Sequence, residues 1–168
     1  MNSNALLTIV LAAGFGWGAS NARAEISDAD KAFLDTMAAS DMAEIELSRA
    51  ATSLSLSPQV RDFAQTIASD HDENYRALLA LCSDKKYAIA PRVDAAHGEA
   101  MRRVNSADSP QAAERAYLDA IAVDQATIDS LLEKTAGNSN DADISRFAAD
   151  TLTAVKNHED SAKQLVSK

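Results

Sequence analysis

The chain has 168 residues, of which 46% are hydrophobic, 5% aromatic and 24% charged, with a net charge of -9. That length suits one domain with a proper hydrophobic core and leaves too little for two. The acidity argues against nucleic acid or anionic lipid as a partner, since both repel a negative surface. The single cysteine, Cys82, excludes an internal disulfide.

Ala5 to Gly18 is apolar, small and uncharged, and it leads into Ala22-Arg23-Ala24, an A-x-A cleavage pattern. Residues 1–24 therefore read as a signal peptide, and 25–168 as a single helical domain whose net charge becomes -10 without Arg23. No Lys or Arg precedes the apolar run, so the terminal amine alone supplies its positive end. An uncleaved anchor would need about 20 apolar residues. This run is shorter and is broken by Gly14, Gly16 and Gly18, so no membrane span is expected after cleavage. No cysteine lies beside the cleavage site to carry a lipid. The expected location is the periplasm or the outside of the cell.

Beyond the signal, Ala, Leu, Asp, Glu, Gln and Lys dominate while Gly and Pro are scarce, a balance that favours helices over strands. A first helix is expected from Ser27 to about Leu56, with Asp30 near its positive end. Its inward stripe reads Phe33, Leu34, Met37, Asp41, Glu44, Ile45, Ser48 and Ala51, a spacing of threes and fours.

Ser57-Pro58 then reads as an N-cap followed by proline at the first helical position. Val60, Phe63, Ala64, Ile67, His71, Tyr75, Leu78 and Cys82 line one face of this second helix, with Lys85-Lys86 at its negative end. Cys82 reads as a small buried hydrophobe rather than a reactive thiol. Ser83 to Pro91 is a connection.

From Arg92 to Asn105 the pattern is less regular and Gly98 weakens it, so only a short extra helix is expected there. Ser109-Pro110 repeats the cap-and-proline start. The next long helix turns Ala113, Tyr117, Ala120, Ile121, Asp124, Ile128 and Leu131 inward until Gly137-Asn138 stops it. The last helix begins near Asp141, with Ile144, Phe147, Ala148, Thr151, Leu152, Val155, His158, Ala162 and Leu165 on its stripe. Four long amphipathic helices with short connections make an all-α four-helix bundle, with the short extra helix between the second and third. Val60-Arg61-Asp62-Phe63-Ala64 faintly echoes Ile144-Ser145-Arg146-Phe147-Ala148, each upstream of an inward histidine.

Polar residues interrupt every one of these stripes, and buried ionisable groups are normally matched to partners. They are Asp41 or Glu44, His71 with Asp70, Asp124 with Gln125, and His158. At one height, two imidazoles and two carboxylates would face each other and suit Zn, Fe, Cu or Mn. The alternative is a purely structural polar core, in which each histidine pairs with an acid of the next helix and only fixes register. Taken singly, Asp41 and Asp70 read as solvated residues. His97 falls in the irregular segment and is expected to be exposed.

Di-iron bundles place Glu three residues before His on two helices. Here the corresponding positions are Ala68 and Val155, which argues against that design. No phosphate loop, nucleophile elbow, HExxH pair or EF-hand loop is present, and the few aromatics fall at core spacing.

Asp30-Lys31-Ala32-Phe33-Leu34, Met42-Ala43-Glu44-Ile45-Glu46-Leu47, Val60 to Ala64 with Asp70-His71, and Phe147-Ala148 with His158 together carry a resemblance. The chain resembles the exported bacterial family called domain of unknown function 4142. The resemblance implies a ferritin-like bundle behind a signal peptide and supplies no activity. It places Glu44, His71 and His158 on recurrent positions and an Asp-His on the third long helix, where this chain has Asp124-Gln125. An amide is a poor transition-metal ligand beside an imidazole.

Three functions compete on these grounds. The first is a bundle that takes up one divalent transition metal through Glu44, His71, Asp124 and His158 without turnover. The second is a structural or interaction module of the cell envelope with a purely structural polar core. The third, an enzyme acting on a small oxidant at a bound metal, has the least support.

Overall fold

The structure, a computed structural model, describes residues 26–89 and 95–166; the expected signal peptide lies outside them. Five helices follow in order, α1 (Asp28–Thr52), α2 (Pro58–Lys85), α3 (Ala95–Asn105), α4 (Pro110–Asn138) and α5 (Ala142–Val166). Among the described residues there is no strand, and no helix is long and apolar enough to cross a membrane.

Local chemistry sets the helix ends. Ser27 accepts the Asp30 N–H at α1 and Ser109 accepts that of Ala112 at α4, each satisfying a donor with no partner inside the helix. Ser57 makes no such bond with its side chain; its backbone N–H donates instead to the Glu114 carboxylate of α4. α1 stops at Thr52, short of the expected Leu56, because the Ser53 N–H turns back onto the Ala50 and Ala51 carbonyls. Leu56 is nonetheless buried, seating the turn in the core. α2 ends where Lys86 adopts a left-handed conformation, φ 56°.

Lys85 joins the two halves of the molecule. Its ammonium lies 2.5 and 2.6 Å from the two Asp141 carboxylate oxygens and 2.7 Å from Asp143. Asp141 in turn accepts the Asp143 and Ile144 N–H groups at the start of α5.

α1 with α2 and α4 with α5 form two hairpins that pack as a bundle, and α3 lies on α1 and α4. Bonds between α1 and α4 run from Ser40 to Asp124, Glu44 to Gln125 and Ser48 to Tyr117, so these helices are antiparallel. The apolar core is split in two. One cluster includes Leu47, Phe63, Ile67, Val104, Tyr117 and Ile121; the other includes Phe33, Leu34, Leu78, Leu132 and Ile144. Cys82 belongs to the second and is free. Burial and the nearby Asp35 charge push its thiol up to about 11, so it stays protonated at neutral pH and inert as a nucleophile.

Candidate functional site

A belt of polar side chains crosses the bundle between the two apolar clusters. α1 supplies Ser40, Asp41 and Glu44, which share a helix face because three and four residues make about one turn. α2 supplies His71 and Asn74 by the same spacing. Asp41, Glu44 and Gln125 are 0%, 1% and 0% exposed, and His71 is 5% exposed.

His71 is the centre of the belt. Its Nδ1 lies 2.8 Å from Asp41 Oδ1, and its Nε2 lies 2.9 Å from Glu44 Oε2. Asn74 donates to both Asp41 oxygens at 3.1 and 2.9 Å and accepts from the Thr151 hydroxyl of α5 at 2.9 Å. Gln125 Nε2 donates to both Glu44 oxygens at 2.8 Å and sits 3.1 Å from His71 Nε2, so two donors flank one carboxylate. The other end of that carboxamide, Oε1, is buried without a partner. Asp124 bonds Ser40 at 2.6 Å and His97 Nε2 at 3.0 Å, and its carboxyl is near enough to that of Glu44 for each to shift the other's titration.

Burial pushes the Glu44 carboxyl up to about 7, with Asp124 adding to the rise and His71 opposing it. Burial raises Asp41 as well, against the pull of His71 and Asn74. Burial disfavours charge on His71, but the charge of Glu44 and the bonds to Asp41 and Glu44 outweigh it, holding the imidazole protonated up to about 10. Burial also resists ionisation of Asp124, yet the bonds from His97, Glu44 and Ser40 keep its carboxyl below the usual range.

The four residues singled out as candidate ligands do not all meet. Glu44, His71 and Asp124 form one row. His158 lies beyond it, its ring centroid 5.5 Å from that of His71 and its Nε2 2.9 Å from Asp70 Oδ2. Burial lowers the His158 pKa, and the His71 charge lowers it further against the pull of Asp70. Among the described residues no three His, Cys, Asp or Glu side chains make a preassembled metal cage.

Three expectations need correction. Asp41 is buried, as its place on the inward stripe implies and contrary to its reading, taken singly, as solvated. Gln125, not Asp124, occupies the core position of α4, while Asp124 sits at its edge. His97, expected to be exposed, has an 18% exposed side chain and binds Asp124, because the segment around it is regular enough to form α3 and close the belt on that side. Asn74 carried no sequence signal beyond its place three residues after His71.

The fold and the belt define an all-helical bundle with a buried carboxylate–imidazole layer. A family model described as Domain of unknown function (DUF4142) matches residues 17–165, and the chain belongs to that family. No curated protein matches the chain significantly. The fold is similar to the crystal structure of a DUF305 fragment from Deinococcus radiodurans, with a TM-score of 0.76 over 86% of this chain and 99% of that one. At 12% identity the likeness is one of fold alone.

Proposed function

We propose that this is an exported bundle, periplasmic or secreted, that holds one divalent transition-metal ion in its polar belt without catalytic turnover. The carrying observation is the row Asp41, His71, Glu44. Asp41 fixes one imidazole nitrogen and turns the other toward a second carboxylate, which is how metal-binding histidines are commonly oriented, and an incoming ion would displace the proton that this nitrogen holds in the metal-free protein. A donor separation of 2.9 Å is compatible with two bonds of about 2.0 to 2.2 Å to one ion.

Gln125 supports the same reading. Its Oε1 is buried without a partner, and a half-turn of the carboxamide would bring that oxygen beside Glu44 and His71. Asp124 then completes a set of one nitrogen and several oxygens, with His158 outside it. Such a set suits Mn, Fe(II) or Zn better than soft Cu(I). The leader-like residues 5–24 support export, and the acidity supports a cation over nucleic acid.

The test is equilibrium dialysis of untagged protein against Zn²⁺ or Mn²⁺ followed by elemental analysis. One ion per chain is expected in the wild type, with loss in Glu44→Gln/His71→Gln. No stoichiometric metal, or equal retention in the double variant, rejects the reading. One observation favours a structural envelope module instead: both His71 nitrogens already meet carboxylates. Under that reading the variants lower stability and added metal leaves melting unchanged.

A further inference from the structure

Resting on that reading, we infer that the metal ion reaches the belt through the seam between α2 and α5, with His158 as a transfer ligand on the way. Of the lateral seams of the bundle this is the least extensive. A cleft of about 360 Å³ opens over it, lined in part by Asp70, Glu73, Phe147 and Asp150. Beneath lies a cavity of about 30 Å³ that shares Asp70, Asn74 and Thr151 with the cleft and reaches both His71 and His158. That space exceeds the roughly 10 to 15 Å³ needed by a single water, so it has room for an ion that has shed most of its hydration shell, with the side chains around it taking the place of the lost waters.

His158 is built for a transient bond. Only 6% exposed, it lines the cavity and lies with Nε2 against Asp70. Nε2–H donates to that carboxylate, which leaves Nδ1 of the neutral ring as the nitrogen with a free lone pair. Nδ1 is buried with no partner, an arrangement that is unfavourable unless something else binds there. At the mouth, exposed Glu73 and Asp150 add negative charge that would gather cations. On the opposite flank, among the described residues, α3 lies against α1 and α4 and Asp124 is tied to both Ser40 and His97.

Stopped-flow binding of Co²⁺, followed by its visible absorption, tests the route in the full folded chain. His158→Leu is expected to slow binding about tenfold while leaving equilibrium affinity unchanged, with Asp70→Asn as a shape-preserving second variant. Glu73→Gln/Asp150→Asn should slow it by about tenfold at low salt, within the usual range for electrostatic steering, and by much less at high salt. Unchanged rates in all three variants would overturn the route and leave the belt site standing. An affinity loss in His158→Leu as large as in Glu44→Gln would overturn it too, because His158 would then be a resident ligand. No Co²⁺ binding by the wild type would remove the belt reading and this one together.

Discussion

The two ends of the core and its middle obey different physics. At the ends, residues such as Phe33, Leu34, Leu132 and Ile144, or Phe63, Ile67, Tyr117 and Ile121, bury apolar surface in any chemistry-neutral packing. In the middle, Asp41, Glu44, His71 and Gln125 are as deeply buried yet carry charge or strong dipoles. Apolar burial folds the bundle. A buried ion pair contributes little net stability over a hydrophobic replacement, because desolvation offsets the attraction. The belt is therefore the part of the core whose chemistry exceeds what folding needs.

Removing one partner should break the contrast most sharply. Asp41→Ala leaves the imidazolium of His71 facing Glu44 alone and should lower stability by about 3 to 5 kcal/mol in urea denaturation. Converting the three together, as Asp41→Leu/Glu44→Leu/His71→Leu, should recover part of that loss, the amides of Asn74 and Gln125 then lacking their carboxylate acceptors. A triple variant less stable than Asp41→Ala would mean that the belt is itself a main source of stability.

The pH response separates the regions next. Glu44 titrates near 4.5 when unfolded and is raised to about 7 in the fold, so its contribution is full below 4.5 and fades as pH rises through 7. His71 moves from 6.5 to about 10, so its contribution is full below 6.5 and is lost on the way to 10. Both signs agree. Metal-free protein should lose stability, on the order of a few kcal/mol, between about pH 5 and 10. His158, whose pKa is lowered, acts oppositely below 6.5 and limits any gain in acid. A melting temperature that is flat or rises toward pH 9 would contradict these assignments. The triple leucine variant should lack the alkaline decline.

Smaller effects belong to the hairpin clasp and the surface. The Lys85 side chain is 4% exposed and meets two carboxylates. Lys85→Met should therefore lower stability by about 1 to 3 kcal/mol, as loss of charged hydrogen bonds does. Lys163→Ala, which removes an exposed partner of Glu159, should stay within about 0.5 kcal/mol of the wild type in the same assay.

The bundle was readable because its signals repeat. Apolar residues at threes and fours, together with Ser57-Pro58 and Ser109-Pro110, locate the long helices to within a few residues. The site was half readable for a geometric reason. On α4 the series Ile121, Asp124, Ile128, Leu131 and the series Ile121, Gln125, Ile128, Leu132 both satisfy helical spacing, and adjacent positions differ by about 100° of rotation. The second series is the one that packs, with Gln125 and Leu132 buried and Asp124 and Leu131 at the edge. Spacing likewise places His71 and His158 on inward faces, but not the lateral offset that gives one to Glu44 and the other to Asp70. Asp41 looked solvated only because a lone acid carries no mark of the asparagine and histidine that enclose it.

Thermal melting of the wild type and Glu44→Gln, each with and without Zn²⁺ or Mn²⁺, tests the cation site most directly. A site that binds only the folded state should gain about 2.7 kcal/mol at a hundredfold excess of ion over Kd. The rise is predicted in the wild type and not in Glu44→Gln. An unchanged wild-type transition, or an equal rise in the variant, would contradict a metal held at Glu44 and His71.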